Sequence, residues 1–175
     1  MGTLRKGKCY KKLVRAYTRK SKVKSKSYIK TLPANKIVRY EMGDPKKKFK
    51  YEINLISKEK AQIRHNAIES ARQITNRRLQ LKIGIANYFF QIKAYPHHIL
   101  RENRMLSGAH ADRLQTGMSH AFGKPMGLAA QIKKGKKILT LKVDYAGLEA
   151  GKEALKLSIP RFPVKCLIEV KKIDS

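Results

Sequence analysis

The spacing of apolar and polar positions predicts several short strands along the chain. Short apolar stretches that contain many aromatic and β-branched residues recur along the sequence. Turn-forming residues such as Gly43, Asp44, Pro45 and Pro96 lie between these stretches. The predicted strands span residues 37–42, 49–56, 87–95, 138–143 and 164–171. Segments of this length that alternate in polarity are typical of half-buried sheet strands.

Two helices are predicted between these strands. Ser57 occupies a helix-capping position, and residues 58–81 contain neither Gly nor Pro. Helical spacing places a mainly apolar set on one face of this segment, which we interpret as the face turned to the core. That set is Ile63, Ala67, Ala71, Ile74 and Arg78. A second, weaker helix is predicted over 146–157, where Gly147 and Gly151 lower the intrinsic helix propensity.

The order of these elements predicts an α/β fold of the α+β type, with a mixed sheet covered on one face by two helices. At 175 residues the chain suits one domain. We predict a basic N-terminal arm over 1–36, a single domain over 37–175, and an inserted loop over 101–127. This arrangement leaves the arm, the loop and the opposite face of the sheet available to a partner.

The arm has an extreme charge pattern. Its first 30 residues contain 12 Lys or Arg residues, and the first carboxylate of the chain is Glu41. Tyr10, Tyr17 and Tyr28 lie among these cations and could stack on bases while the cations meet phosphates. A solvated, disordered tail is the alternative, although the tyrosines and the apolar residues between them argue against pure disorder.

The charge of the whole chain points to a polyanionic partner. Lys and Arg number 41 against 12 Asp and Glu, which gives a formal net charge of +29 and strong self-repulsion. No apolar run approaches the roughly 20 residues that a bilayer-spanning helix requires. Nucleic acid is therefore favoured over a membrane surface. The two cysteines, Cys9 and Cys166, lack the spacing of a zinc or redox site and fit a reducing, intracellular compartment.

The predicted loop over 101–127 is far longer than most connections in compact domains, which favours a functional role. Its cations and amides, set among glycines, suit contacts with phosphates, ribose hydroxyls and base edges, while an inert mobile loop is the alternative. The same loop contains His110 and Asp112, which leave a small hydrolase conceivable. No nucleophile or phosphate-binding signature accompanies them, and His110 and His120 do not have metal-site spacing, so we expect neither catalysis nor a metal or other cofactor.

Several motifs in order resemble one known family. They begin in the arm with Cys9-Tyr10 and Tyr17-Thr18-Arg19, and continue through 53–59 and Gln62-Ile63-Arg64-His65 to the loop, where residues 101–103, 111–113, 115–118 and 122–125 match. Together they make the chain similar to the archaeal and eukaryotic large-subunit ribosomal protein ten-e family, the equivalent of bacterial large-subunit ribosomal protein sixteen. The match spans nearly the whole chain, and motifs in the same order are more specific than any one alone.

The resemblance implies a cytoplasmic structural constituent of the large ribosomal subunit that binds large-subunit rRNA, and not an enzyme. It also implies that the protein helps shape the tRNA-binding cleft near the peptidyl transferase centre, with its loop near the tRNA acceptor end. Neighbouring ribosomal proteins and late assembly factors are the further expected partners. A free nucleic-acid-binding protein, associated with chromatin or mRNA, remains the alternative from a different class.

These considerations give two sets of candidate contacts. The predicted rRNA-binding residues are Arg5, Lys8, Tyr10, Lys12, Arg15, Tyr17, Arg19, Lys22, Lys24, Tyr28, Arg64, His65, Arg72 and Arg77. The predicted tRNA-proximal residues are Arg101, Asn103, Arg104, Arg113, Gln115 and Lys124.

Overall fold

The computed structural model describes residues 6–13, 23–26, 29, 31–102 and 123–173, and within these ranges the predicted α+β class is confirmed. The strands are β1 (Glu41–Gly43), β2 (Tyr51–Ser57), β3 (Ala61–Arg64), β4 (Tyr88–Ile92), β5 (His98–Glu102), β6 (Lys124–Ile132), β7 (Lys137–Val143) and β8 (Cys166–Lys172). The helices are α1 (His65–Lys82) and α2 (Leu148–Ser158).

The described strands form two sheets instead of the single sheet that we predicted. The larger has the order β1-β4-β7-β2-β8 and the smaller the order β3-β6-β5, and every pair is antiparallel. The chain passes from the small sheet to the large one through a turn at Gly135, whose N–H donates to the carbonyl of Ser57 at 2.8 Å. Periodicity identifies strands but does not say which of them pair, so the division into two sheets was not predictable.

The long helix begins later than predicted. Residues 61–64 form β3, whose Ala61 and Ile63 are fully buried, and Ser57 belongs to β2 and does not cap the helix. The buried positions of α1 include Ile68, Ala71, Thr75 and Leu79, so only Ala71 of the predicted α1 face is among them. A four-residue strand that runs directly into a helix leaves too short an alternation to distinguish from the helical pattern.

The prediction of a loop over 101–127 is wrong at both ends of that range. Its two ends belong to β5 and β6, while residues 103–122 lie outside the described residues. Gly127 and Pro125, which suggested a loop, are inside β6. Pro125 lies opposite Arg101, where the β5–β6 register shifts, and such irregular positions are where a strand tolerates Pro.

The main core lies between the large sheet and the helices. Ile53, Leu141, Tyr88 and Phe90 are fully buried, and α2 contacts both α1 and the middle of this sheet. A side chain at Gly151 would put its Cβ 2.9 Å from the terminal methyl groups of Ile53 and Leu141. The glycine that weakens α2 as an isolated helix therefore allows α2 to lie close to the sheet.

Candidate nucleic-acid interface

The first part of the arm docks on the small sheet through Tyr10. Residues Gly7–Tyr10 form a short 3-10 helix, and the Tyr10 hydroxyl donates to Glu102 Oε2 of β5 at 3.1 Å. The Arg64 guanidinium of β3 lies over the same ring, 5.3 Å from its centroid. One aromatic side chain thus contacts both outer strands of the small sheet, and a cation–π contact holds Arg64 beside it.

Backbone hydrogen bonds continue this docking along β3. The N–H of Gln62 donates to the carbonyl of Lys11 at 3.0 Å, and its side-chain amide donates to the carbonyl of Tyr10 at 3.2 Å. Lys11 also forms an ion pair with Glu59 at 2.9 Å. Gln62 and Glu59 were missed by sequence reasoning, because neither residue type signals that a distant part of the sequence, residues 10 and 11, lies against it. The arm over residues 6–13 is therefore seated on the domain through β3.

A cleft opens between the docked arm, β3, α1 and the segment after α2. Its volume is about 460 Å³. Four cationic side chains and an apolar wall line it, together with Gly7 and Gln62. The cations are Lys8, Lys11, Arg64 and Arg161, and the wall is Ala67, Pro160, Phe162 and Pro163. Two predicted rRNA-binding residues, Lys8 and Arg64, thus line one concave site, whereas no local pattern had pointed to Arg161.

His65 lies at the start of α1, where it is largely buried. Its Nδ1 faces the N–H of Lys36 at 3.4 Å, and its Nε2 is 3.3 Å from the position that a Cβ would take at Gly127 of β6. Burial, followed by the charges of Lys36 and Arg64, lowers the pKa of His65 below the usual histidine value. The neutral ring that results accepts a backbone hydrogen bond and packs against β6 at its glycine.

Arg72 is engaged within the protein. Its Nε and one terminal nitrogen donate to the two carboxylate oxygens of Glu69 at 2.8 and 2.6 Å, and its other terminal nitrogen approaches the Met42 sulfur at 3.4 Å. Burial opposes ionisation of Glu69, but the hydrogen bonds from Arg72 and Gln73 outweigh it and lower the Glu69 pKa. Glu69 also accepts from the N–H of Val38 at 3.4 Å, so this pair ties the segment before β1 to α1.

Comparison with known proteins identifies the family of the chain. A family model described as "Ribosomal protein L16p/L10e" matches residues 14–169. The chain belongs to this family. Proteins named "Large ribosomal subunit protein uL16" are similar over nearly their whole length: that of Methanococcus aeolicus is 45% identical over 97% of this chain and 95% of the relative. The Sulfolobus acidocaldarius protein is 42% identical over 98% and 96%, and that of Saccharolobus solfataricus 44% over 95% and 92%.

Membership confirms the resemblance seen in the sequence motifs, and it confirms that the chain is a ribosomal structural protein and not an enzyme. Nothing supports the free chromatin- or mRNA-associated alternative. His110 and Asp112, on which a hydrolase would depend, lie outside the described residues. In the ranges that the structure describes, no group of three or more His, Cys, Asp or Glu side chains could hold a metal ion, and no helix is long and apolar enough to cross a membrane.

The other predicted contacts fall into three groups. Lys8, Lys12 and Arg77 are exposed, and Lys24 lies in a second short 3-10 helix, Lys24–Lys26. Arg101 and Lys124 are brought together, because Glu102 pairs with Lys124 and Arg101 with Pro125 at the adjoining ends of β5 and β6. Several predicted contacts lie outside the described residues: Arg5, Arg15, Tyr17, Arg19, Lys22, Tyr28, Asn103, Arg104, Arg113 and Gln115.

Proposed function

We propose that this ribosomal protein is a structural constituent of the large subunit, where its arm and small sheet bind rRNA and the segment between β5 and β6 helps shape the tRNA-binding cleft. The relatives carry large-subunit names, which supports the first part of the proposal. A net charge of +29 supports a position among rRNA phosphates, since self-repulsion of this charge would destabilise a free compact protein. The protein would act in the cytoplasm as part of the ribosome.

The docking of the arm is the observation that carries the rRNA part of this proposal. Tyr10, held between Arg64 and Glu102, brings the basic arm onto a domain surface that already has cations of its own. Residues 6–13 thus add Lys8, Lys11 and Lys12 to the cations of this surface. Phosphate contacts from such a region position RNA without reading its sequence, as a structural rRNA-binding protein requires.

The tRNA part of the proposal depends on where the segment between β5 and β6 leaves the domain. Its ends at Glu102 and Lys124 are paired in the small sheet, on which the arm also docks. If the domain binds rRNA through the arm, both ends of this segment would therefore have a fixed position relative to the rRNA. We assign contacts with the tRNA acceptor end to this segment, and contacts with neighbouring ribosomal proteins and late assembly factors to the remaining surface.

A sedimentation experiment tests the rRNA-bound role. The tagged chain should sediment with large subunits in a sucrose gradient at low salt and be released as salt increases. For about 6 to 10 phosphate contacts, affinity for an rRNA fragment should fall roughly 10³- to 10⁵-fold between 50 and 200 mM salt. A chain absent from all ribosomal fractions, or equally bound to duplex DNA, would contradict the proposal.

A deletion tests the tRNA part separately. Removal of residues 105–118 leaves enough chain to connect the paired ends of β5 and β6, so the fold and the sedimentation with large subunits should be retained. Binding of tRNA to the resulting subunits, or their final maturation, should be impaired. Deletion subunits with wild-type tRNA binding and maturation would contradict this part of the proposal and leave the rRNA-bound role standing.

A further inference from the structure

The cleft beside the docked arm has a composition that neither family membership nor general phosphate binding explains. Its lining combines Lys8, Lys11, Arg64 and Arg161 with an apolar wall. At about 460 Å³ it is within the range of roughly 300 to 1,000 Å³ that is usual for sites that take small molecules. A surface that only follows a phosphate backbone does not require an apolar wall.

The cations of the cleft differ in how far they are already engaged. Lys11 is paired with Glu59, and the Arg64 guanidinium lies over the Tyr10 ring. In the described part of the chain, Lys8 and Arg161 have no ion-pair partner, and both are exposed at the rim of the cleft. The rim therefore offers unneutralised positive charge to an anion, whereas the interior is held in shape by contacts within the protein.

The apolar wall is made mainly by the segment 160–163, which also contains Arg161. Pro160 and Pro163 flank Phe162, which is nearly buried, and Ala67 of α1 adds a small side chain that leaves room beside them. Proline rings and the edge of an aromatic ring offer flat surfaces against which a planar base can pack. Gln62 lines the same cleft, where its side-chain amide is engaged with the carbonyl of Tyr10 and helps to hold the arm in place.

We propose that this cleft receives a single unpaired nucleotide of the RNA, with its base against the Pro160–Pro163 wall and its phosphate between Lys8 and Arg161. The proposal rests on the rRNA-binding function above and specifies the kind of RNA element that this function takes. A regular duplex is convex and would touch the cationic rim only. An unstacked base fits a concave site and is the form in which proteins mainly recognise single-stranded RNA.

Two substitutions separate the base from the phosphate. Ala67→Leu enlarges a side chain of the wall and should exclude the base, while Arg161→Gln removes one rim cation. Arg39→Gln is the matched control, because Arg39 is also exposed, has no ion-pair partner among the described residues, and does not line the cleft. Circular dichroism and the thermal midpoint of each full-length variant establish that it is folded.

The probes are a single-stranded oligoadenylate of about 4 nucleotides and an RNA duplex of roughly 16 base pairs, titrated at several salt concentrations. Ala67→Leu should weaken oligoadenylate binding about tenfold, as expected for loss of one packed base, and leave duplex binding unchanged. Arg161→Gln should reduce the salt slope for oligoadenylate by about 0.7, the value for one phosphate on a single strand. Arg39→Gln should leave oligoadenylate binding unchanged.

Three outcomes would overturn the proposal: Ala67→Leu leaves oligoadenylate binding intact, it weakens duplex binding equally, or Arg39→Gln has the same effect as Arg161→Gln. Arg161→Gln alters an exposed residue and should fold. It therefore still tests the phosphate contact of the cleft if Ala67→Leu does not fold. Sedimentation of the wild-type chain tests the ribosomal function separately from the nucleotide site. A chain that sediments with large subunits but fails these tests keeps its ribosomal function and loses the nucleotide site.

Discussion

The two sheets of this protein share an apolar core but differ in what else they contact, because the docked arm lies on the small sheet. In the large sheet, Ile53, Leu55, Leu139 and Leu141 are completely buried, and burial of apolar surface of this kind is the dominant stabilising term in folding. The small sheet also has apolar residues, but its contacts with the arm are polar: a tyrosine–carboxylate hydrogen bond, a cation–π contact and backbone hydrogen bonds to Gln62.

This difference separates stability from binding within one domain. The large sheet and its helices form a body whose charged pairs, such as Glu52 with Lys137 and Arg78 with Glu153, lie at its surface. The small sheet brings together the docked arm, the cationic cleft and the ends of the segment between β5 and β6. Changes in the first region should have the largest effects on unfolding, and changes around the docked arm and the cleft should alter arm docking and RNA contact.

The largest effect on the first region is expected from Gly43→Ala. Gly43 has φ of 90°, and a Cβ there would lie 2.1 Å from the Tyr88 carbonyl oxygen, so β1 could not pair with β4 as it does now. We expect a loss of roughly 3 kcal/mol in the free energy of unfolding, measured by urea denaturation.

Gly135→Ala is the control for this substitution. Gly135 also has positive φ, but no atom of the described residues lies within 4 Å of its Cβ position. Gly135→Ala should therefore lower the free energy of unfolding only by the conformational penalty of about 1 kcal/mol. Equal losses at the two positions would show that the contact with Tyr88 contributes nothing.

The next largest effect is expected from Arg72→Met, which leaves Glu69 without its main partner. The side chains of Glu69 and Arg72 are only 10% and 13% exposed, so the carboxylate would be left partly buried and unneutralised. We expect a loss of roughly 2 to 3 kcal/mol in the free energy of unfolding at neutral pH. The double variant Glu69→Gln, Arg72→Met should recover part of it. If the single variant weakened RNA binding without changing stability, Arg72 would be an RNA contact and not a support for the segment before β1.

The sequence predicted the first region much better than the second. The cores of β2, β4, β7 and β8 and the body of α1 and α2 follow from periodicity, because long or strongly apolar segments carry a clear signal. The residues of β3 were assigned to the predicted helix, and β6 was not predicted because it contains Pro125 and Gly127. Tyr10 and Arg64 were both predicted to bind rRNA, but the contact of Tyr10 with Glu102, 92 positions away, depends on the pairing of strands. No local pattern encodes that pairing.

A smaller effect, confined to the second region, is expected from Tyr10→Phe. The substitution keeps the ring beneath Arg64 and removes the hydroxyl that donates to Glu102, which should weaken arm docking by about 1 kcal/mol. Cleavage by trypsin in the arm should be several-fold faster, while the urea midpoint of the domain changes little. Tyr10→Ala, which also removes the cation–π contact, should increase cleavage further. An arm cleaved at the same rate in all three proteins would show that Tyr10 does not hold it.

The smallest expected effect is a pH dependence that belongs to the small-sheet side. Burial lowers the pKa of His65, and burial followed by the charges of His97 and Arg101 lowers that of His98 in β5. In the unfolded chain both side chains bind a proton near pH 6.5, whereas the folded protein binds them only at lower pH. The unfolded state therefore holds more protons just below pH 6.5, and stability falls as the pH decreases from about 7.5 to 5.5. Urea midpoints across this window should decrease for the wild type and decrease less for the double variant His65→Gln, His98→Gln, in which the glutamine at 65 can still accept from the N–H of Lys36. A double variant with the full wild-type dependence would assign the effect to carboxylates, including those of the large sheet, and would remove this distinction between the two regions.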